Sequence, residues 1–72
     1  MTDLPPPGIG TWVVDTRWDR LGLVMGQVGP CVQLRPPQGG REWDADPAHV
    51  RPATRAEELR ARVSERNHRT RL

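Results

Sequence analysis

"LGLVMGQVGPCVQLRPPQGGREWD", residues 21–44, decides the fold. Gly29-Pro30 at its centre is a turn, and "CVQLR" (31–35) is a strand that sends Val32 and Leu34 to one face. "LGLVMGQV" (21–28) is the strand before it, and Gly22 and Gly26 within it predict a bulge or sharp bend. On the far side, Pro36 and Pro37 have no N–H to give a ladder, so the third strand stops there. Gly39-Gly40 supplies the positive φ that a tight reversal needs. "REWD" (41–44) then leaves as a short fourth strand, with Trp43 facing opposite to Glu42 and Asp44. The proline- and glycine-rich run is therefore a strand–loop–strand connection. A proline-rich docking peptide would need P-x-x-P, which the chain lacks, and a phosphate loop of the G-x-x-x-x-G-K type would need a lysine, which it also lacks. "GQVG" (26–29) has the spacing of a backbone-clamping G-x-x-G loop, but that loop joins helices and here strands flank it.

Working outward, "TWVVDT" (11–16) alternates as a first strand, with Trp12 and Val14 on one face and Thr11, Val13 and Asp15 on the other. "RWDR" (17–20) is a polar connection, and residues 1–8, with three consecutive prolines, read as a flexible tail. "ADPAHVRPA" (45–53) leaves room for one short strand or turn around His49 and Val50. Thr54 and Glu57 then form a capping box that starts a helix over about 55–66, with Asn67 near its end and residues 68–72 frayed. Ala56, Leu59 and Val63 recur at helical spacing and should pack on the strands or on a second copy of the chain. Glu58 with Arg62 and Glu65 with Arg69 are favourable i, i+4 pairs. The expected layout is a tail at 1–8, a small β domain at 9–53 and a helix at 54–67.

Seventy-two residues, 35% hydrophobic, allow one domain with a small core. A thin domain gains most by curling a small sheet onto itself, so a closed five-stranded barrel is expected. Cys31 is the single cysteine, which excludes an internal disulfide and a multi-cysteine zinc site; its strand position makes it a small buried hydrophobe. No secretory signal pattern or membrane-length apolar run occurs, so cytoplasmic residence is expected, with no membrane partner.

All eleven basic residues are Arg. The absence of Lys, Phe and Tyr matches a G+C-rich coding bias, which weakens the high pI as a sign of nucleic acid. The charge is also uneven: residues 1–50 carry four Arg against six acids, and residues 51–72 carry seven Arg against three Glu.

The strings "GIGTWVVDT", "GLVMGQVGPCVQLRP" and "GGREWD" followed by a helix resemble the Src-homology-3-like small barrels of Tudor and KOW type. The same strings are similar to a group of small actinobacterial proteins, over residues 10–66. The resemblance implies a five-stranded small barrel with a C-terminal helix and carries no catalytic residues.

Enzymatic chemistry finds little to use. His49 beside Asp44 and Asp46 is the one conceivable acid–base cluster, and a half-exposed loop histidine accounts for it. Neither cofactor nor metal is expected, and three tryptophans, two of them in the core, do not make a methyl-lysine cage. The remaining reading is a non-catalytic binding module, for a protein partner or for self-association as a homodimer. Trp18, in a polar loop, is either a lid over one end of the fold or a partner anchor surrounded by Arg17, Arg20 and Arg41. The alternative is nucleic-acid binding, DNA or RNA, with Arg55, Arg62, Arg66 and Arg69 of the helix as phosphate contacts. Against it, the arginines interleave with glutamates, and the helix has no aromatic stacking platform.

Overall fold

The computed structural model describes residues 8–70, with side chains to residue 67. The expected tail at 1–8 falls almost wholly outside the described residues. Five strands form one antiparallel sheet: β1 (Trp12–Asp15), β2 (Arg20–Val28), β3 (Cys31–Arg35), β4 (Trp43–Ala45) and β5 (Val50–Pro52), in the order β4-β3-β2-β1-β5. A 3-10 turn at Pro47–His49 precedes β5, and the helix α1 (Arg55–Thr70) follows it. The mainly β class with a C-terminal helix is as expected. The helix continues through residue 70, past the end at about 66 that the sequence suggested.

β2 organises the sheet. Its first half pairs with β1, its second half pairs with β3, and Leu23 sits opposite both Trp12 and Arg35. The register slips between Val24 and Gly26, the irregularity that the glycine spacing predicted. The consequence is a strongly curled sheet. Laid flat, five strands would hold β4 and β5 about 19 Å apart. Yet Ala45 of β4 belongs to one buried cluster with Val13, Val24, Val32 and Leu34, and Val50 of β5 packs against that same cluster.

The sheet nevertheless does not close into a barrel, contrary to expectation: β4 and β5 are its two edges. Both are only three residues long. Pro52 has no N–H to offer a neighbour, and Asp46 caps the 3-10 turn by accepting from Ala48 N rather than extending β4. Short edges bearing Asp44, Arg51 and Pro52 also resist pairing with other chains.

Every residue of β1 is buried, because this strand, paired with β2 on one side and β5 on the other, is covered on both faces. Val13 and Asp15 look into the cluster. Trp12 and Val14 share the outer face with Leu21, Leu23, Arg35 and Arg51, their neighbours across the ladders. The helix lies over this outer face. Arg51 makes two bonds to Glu57 (2.9 and 3.0 Å), and Arg35 donates to Glu65 at 3.1 Å. Eight residues of helix rise about 12 Å, and the two bonded strands, β5 and β3, lie on either side of β1 and β2. The two pairs thus hold α1 across the strands.

These ion pairs also fix which side of α1 faces inward. Ala61 is buried beneath it, whereas Ala56, Leu59 and Val63 point to solvent. Of the two packings expected for this stripe, on the strands or on a second copy, the first is not adopted, because both clamping glutamates lie on the other side of the helix. Glu65 pairs with Arg35 across the fold, while the side chain of Arg69, its expected partner, lies outside the described residues. The capping box forms as predicted: Thr54 N donates to Glu57 at 2.8 Å and Glu57 N to Thr54 Oγ1 at 3.2 Å.

Gly39 and Gly40 take φ of 80° and 109°, as the reversal requires. The space around Gly40 is open, so a side chain there meets only backbone strain. Gly40→Val should cost roughly 1–3 kcal/mol, read as an earlier midpoint in urea unfolding; an unchanged midpoint would show that the turn tolerates the side chain. A second expectation concerns acid. The hydrogen bonds from Arg51, then from Thr54 N, hold the Glu57 carboxyl down at about 2, from an ordinary 4.5. A depressed carboxylate contributes stability above its unfolded pKa and loses it as pH falls. Between about pH 4.5 and 2, the melting temperature of wild type should therefore fall more steeply than that of Glu57→Gln.

Candidate interaction site

The site grows from one buried acid. Asp15 ends β1 at 1% exposure, with its side chain on the face of the buried cluster. Its Oδ2 accepts from the Trp43 indole Nε1 at 3.0 Å, its Oδ1 from Arg17 N at 3.1 Å, and its carbonyl from Trp18 N at 3.3 Å. A carboxylate so enclosed is tolerable because its oxygens have donors. The bonds carry structure in two directions, pulling Trp43 in from β4 and shaping the turn that displays Trp18.

Trp43 can reach Asp15 because of Gly22. A Cβ at position 22 would lie 2.8 Å from Trp43 Cη2 and 3.0 Å from Leu34 Cβ, closer than packed atoms come. The ring lies across the glycine, half-buried, with the Arg20 guanidinium 4.0 Å from its centroid. That is cation–π range. Gly22, expected to mark a bend, is needed here for this close approach.

The β1–β2 turn is fixed from three sides. Asp15 holds its start, and Thr16 donates both its N and its Oγ1 to the His49 carbonyl, each at 2.8 Å. Asp19 closes it at φ 51°, a left-handed conformation that Asp accepts better than most residues. Trp18 stands at the apex, 63% exposed, with the Arg17 guanidinium 5.8 Å from its ring centroid. The ring does not fold back, so the lid alternative fails. Arg17 and Arg20 are exposed on the same turn. Arg41 is exposed in the segment that leads into β4, two residues before Trp43.

The other sequence candidates lie elsewhere. Among the helix arginines, Arg55, Arg62 and Arg66 are exposed on α1, Arg62 bonds Glu58 at 2.6 Å, and Arg69 has its side chain outside the described residues. His49 is exposed, 3.5 Å from Asp46, and Asp44 does not join that pair. Cys31 is half-buried at the start of β3, less enclosed than expected. No group of three metal-ligating side chains forms among the described residues. The tryptophans do not gather into a cage: Trp12 is buried, Trp43 sits under Arg20, and Trp18 stands in solvent. Sequence reasoning missed Asp15. The available signal was an acid at a core-facing position of a hydrophobic strand.

The chain matches no protein-family model, no curated protein and no solved structure.

Asp15→Ala would strand the Trp43 and Arg17 donors. The unsatisfied groups should cost about 1–3 kcal/mol. Chemical denaturation should show the loss, and hydrogen exchange at residues 16–19 should quicken; unchanged exchange would mean that the turn is held without Asp15.

Proposed function

We propose that this chain is a non-catalytic binding module that captures a protein partner through Trp18, with Arg17, Arg20 and Arg41 around the contact. The observation that carries this reading is an exposed tryptophan on an immobilised turn. Burying a large apolar ring on binding is favourable, and a turn already held in place loses little freedom in doing so. Tryptophan and arginine are also the side chains that dominate interface energetics. The mixed charge of the patch supports a protein rather than a polyanion: Asp19 sits between the arginines, and Glu42 and Asp44 flank Trp43. The absence of catalysis is part of the proposal. What supports it is the isolation of the reactive side chains, with the one serine on the helix and His49 out in solvent.

The likeness to Src-homology-3-like folds and to the small actinobacterial group belongs to the same proposal. It rests on five short antiparallel strands, a long second strand shared by two ladders, and the terminal helix. Cytoplasmic residence goes with it; no helix among the described residues is long and apolar enough to cross a membrane.

Trp18→Ala tests the anchor in pull-downs from native lysate, run with and without nuclease. The variant should melt with wild type, since the ring supports nothing beneath it, and should lose a nuclease-resistant partner. Early melting, with binding reduced only in proportion to the folded fraction, would return Trp18 to a structural role.

A further inference from the structure

We propose that the outward face of α1 is a second docking surface, built to receive an amphipathic helix with acidic flanks from another protein. It is separate from the Trp18 contact. The helix crosses the outer face of the sheet near the Trp12–Leu23–Arg35 row, while Trp18 projects from the end of the ladder where Asp15 pairs with Arg20. Positions 56, 59, 63 and 66 follow one another at alternating steps of three and four, the spacing of a two-helix seam, with Arg66 at the fourth place. Ala56, Leu59 and Val63 fill its first three places, and the two larger side chains are 57% and 55% exposed.

The rim of that seam is arginine. Arg55 and Arg62 flank it on one side, and Arg60 flanks it on the other. The structure sorts the helix charges so that this rim dominates. Glu57 and Glu65, which in the sequence seemed to balance the arginines, are turned to Arg51 and Arg35 of the sheet. On the rim, Glu58 bonds Arg62. Glutamates docked inward and arginines left outward make an apolar ridge within a basic border.

The border also selects the occupant. In a second copy paired antiparallel, each flank would meet its own kind, setting Arg55 and Arg62 against the same residues. Paired in parallel, Arg55 would face Arg60. Both arrangements place like charges together, which opposes self-pairing. A nucleic acid would engage the arginines and leave Leu59 and Val63 without a role. An acidic-flanked helix uses both features, and the apolar stretch from Ala56 to Val63 offers it about one heptad.

The probes are two synthetic three-heptad peptides with leucine at the seam positions, one carrying glutamate on its flanks and the other lysine. Each is titrated with the full chain by fluorescence anisotropy. The glutamate peptide should bind and the lysine peptide should not. A Leu59→Ser, Val63→Ser double variant should bind at least about tenfold more weakly at an unchanged melting temperature, since both side chains stand in solvent. Arg55→Glu with Arg60→Glu should reverse the preference toward the lysine peptide. Trp18→Ala should leave these affinities alone, so failure here and failure of the Trp18 reading are separable. Equal binding of both peptides, or an unaffected double serine variant, would overturn the proposal. Salt-sensitive oligonucleotide binding that needs the arginines and ignores Leu59 and Val63 would assign the face to nucleic acid instead. A dimer in sedimentation that the double serine variant dissolves would assign it to a second copy.

Discussion

A carboxylate placed inside a hydrophobic strand must find donors, and the way Asp15 finds them shapes much of this molecule. Leaving a charged group buried and unpaired costs far more than a small domain has to spare. Asp15 meets that demand with an indole N–H from 28 residues away and a backbone N–H two residues ahead. The first partner brings β4 over the cluster, and the second folds the β1–β2 turn. Neither could be supplied by an apolar residue at that position. The requirement then propagates, since Trp43 fits over the sheet only where position 22 lacks a side chain. Polar satisfaction and ring packing are one constraint here, shared by residues on three strands.

Arginine serves several ends in the same small fold. Arg35 and Arg51 reach from the sheet to the helix and act as clamps, Arg20 covers an indole, and Arg17 lies beside another. The planar guanidinium suits each use, binding a carboxylate by two bonds or stacking on a ring, as lysine would not. Exposed pairs of this kind add little individually to stability. Their larger effect is orientation: two clamps eight residues apart decide which side of α1 meets the sheet. With few large apolar side chains available, the fold sets the rotation of its helix with charge.

Much of this architecture was legible in the sequence. Proline and glycine punctuate the strands because one lacks a donor and the other accepts positive φ, so the β3–β4 reversal could be placed to the residue. The capping box marked the helix start for a similarly local reason. Trp18 stood out because its neighbours are polar. What could not be read depends on partners distant in the chain. The Asp15–Trp43 bond, the approach of Trp43 to Gly22 and the pairing of Glu57 and Glu65 with sheet arginines have no local signature. Hence the apolar stripe of α1 was expected to face the strands: helical periodicity identifies a face but not its direction. Closure of the sheet failed as an expectation for a like reason, since it depends on whether two three-residue edges can meet.

The strand order carries a consequence for how the chain is made. Of the five strands β1 is made first, yet one of its two neighbours, β5, is made fifth. Until residue 52 has emerged, Val13, Val14 and Asp15 have an open ladder on one side. The meander from β2 to β4 has no such wait, because its pairings join strands adjacent in sequence and close short loops. Nascent chains should therefore hold a hairpin-like intermediate whose exposed edge is the strand richest in buried residues. During that interval the chain is most open to mispairing.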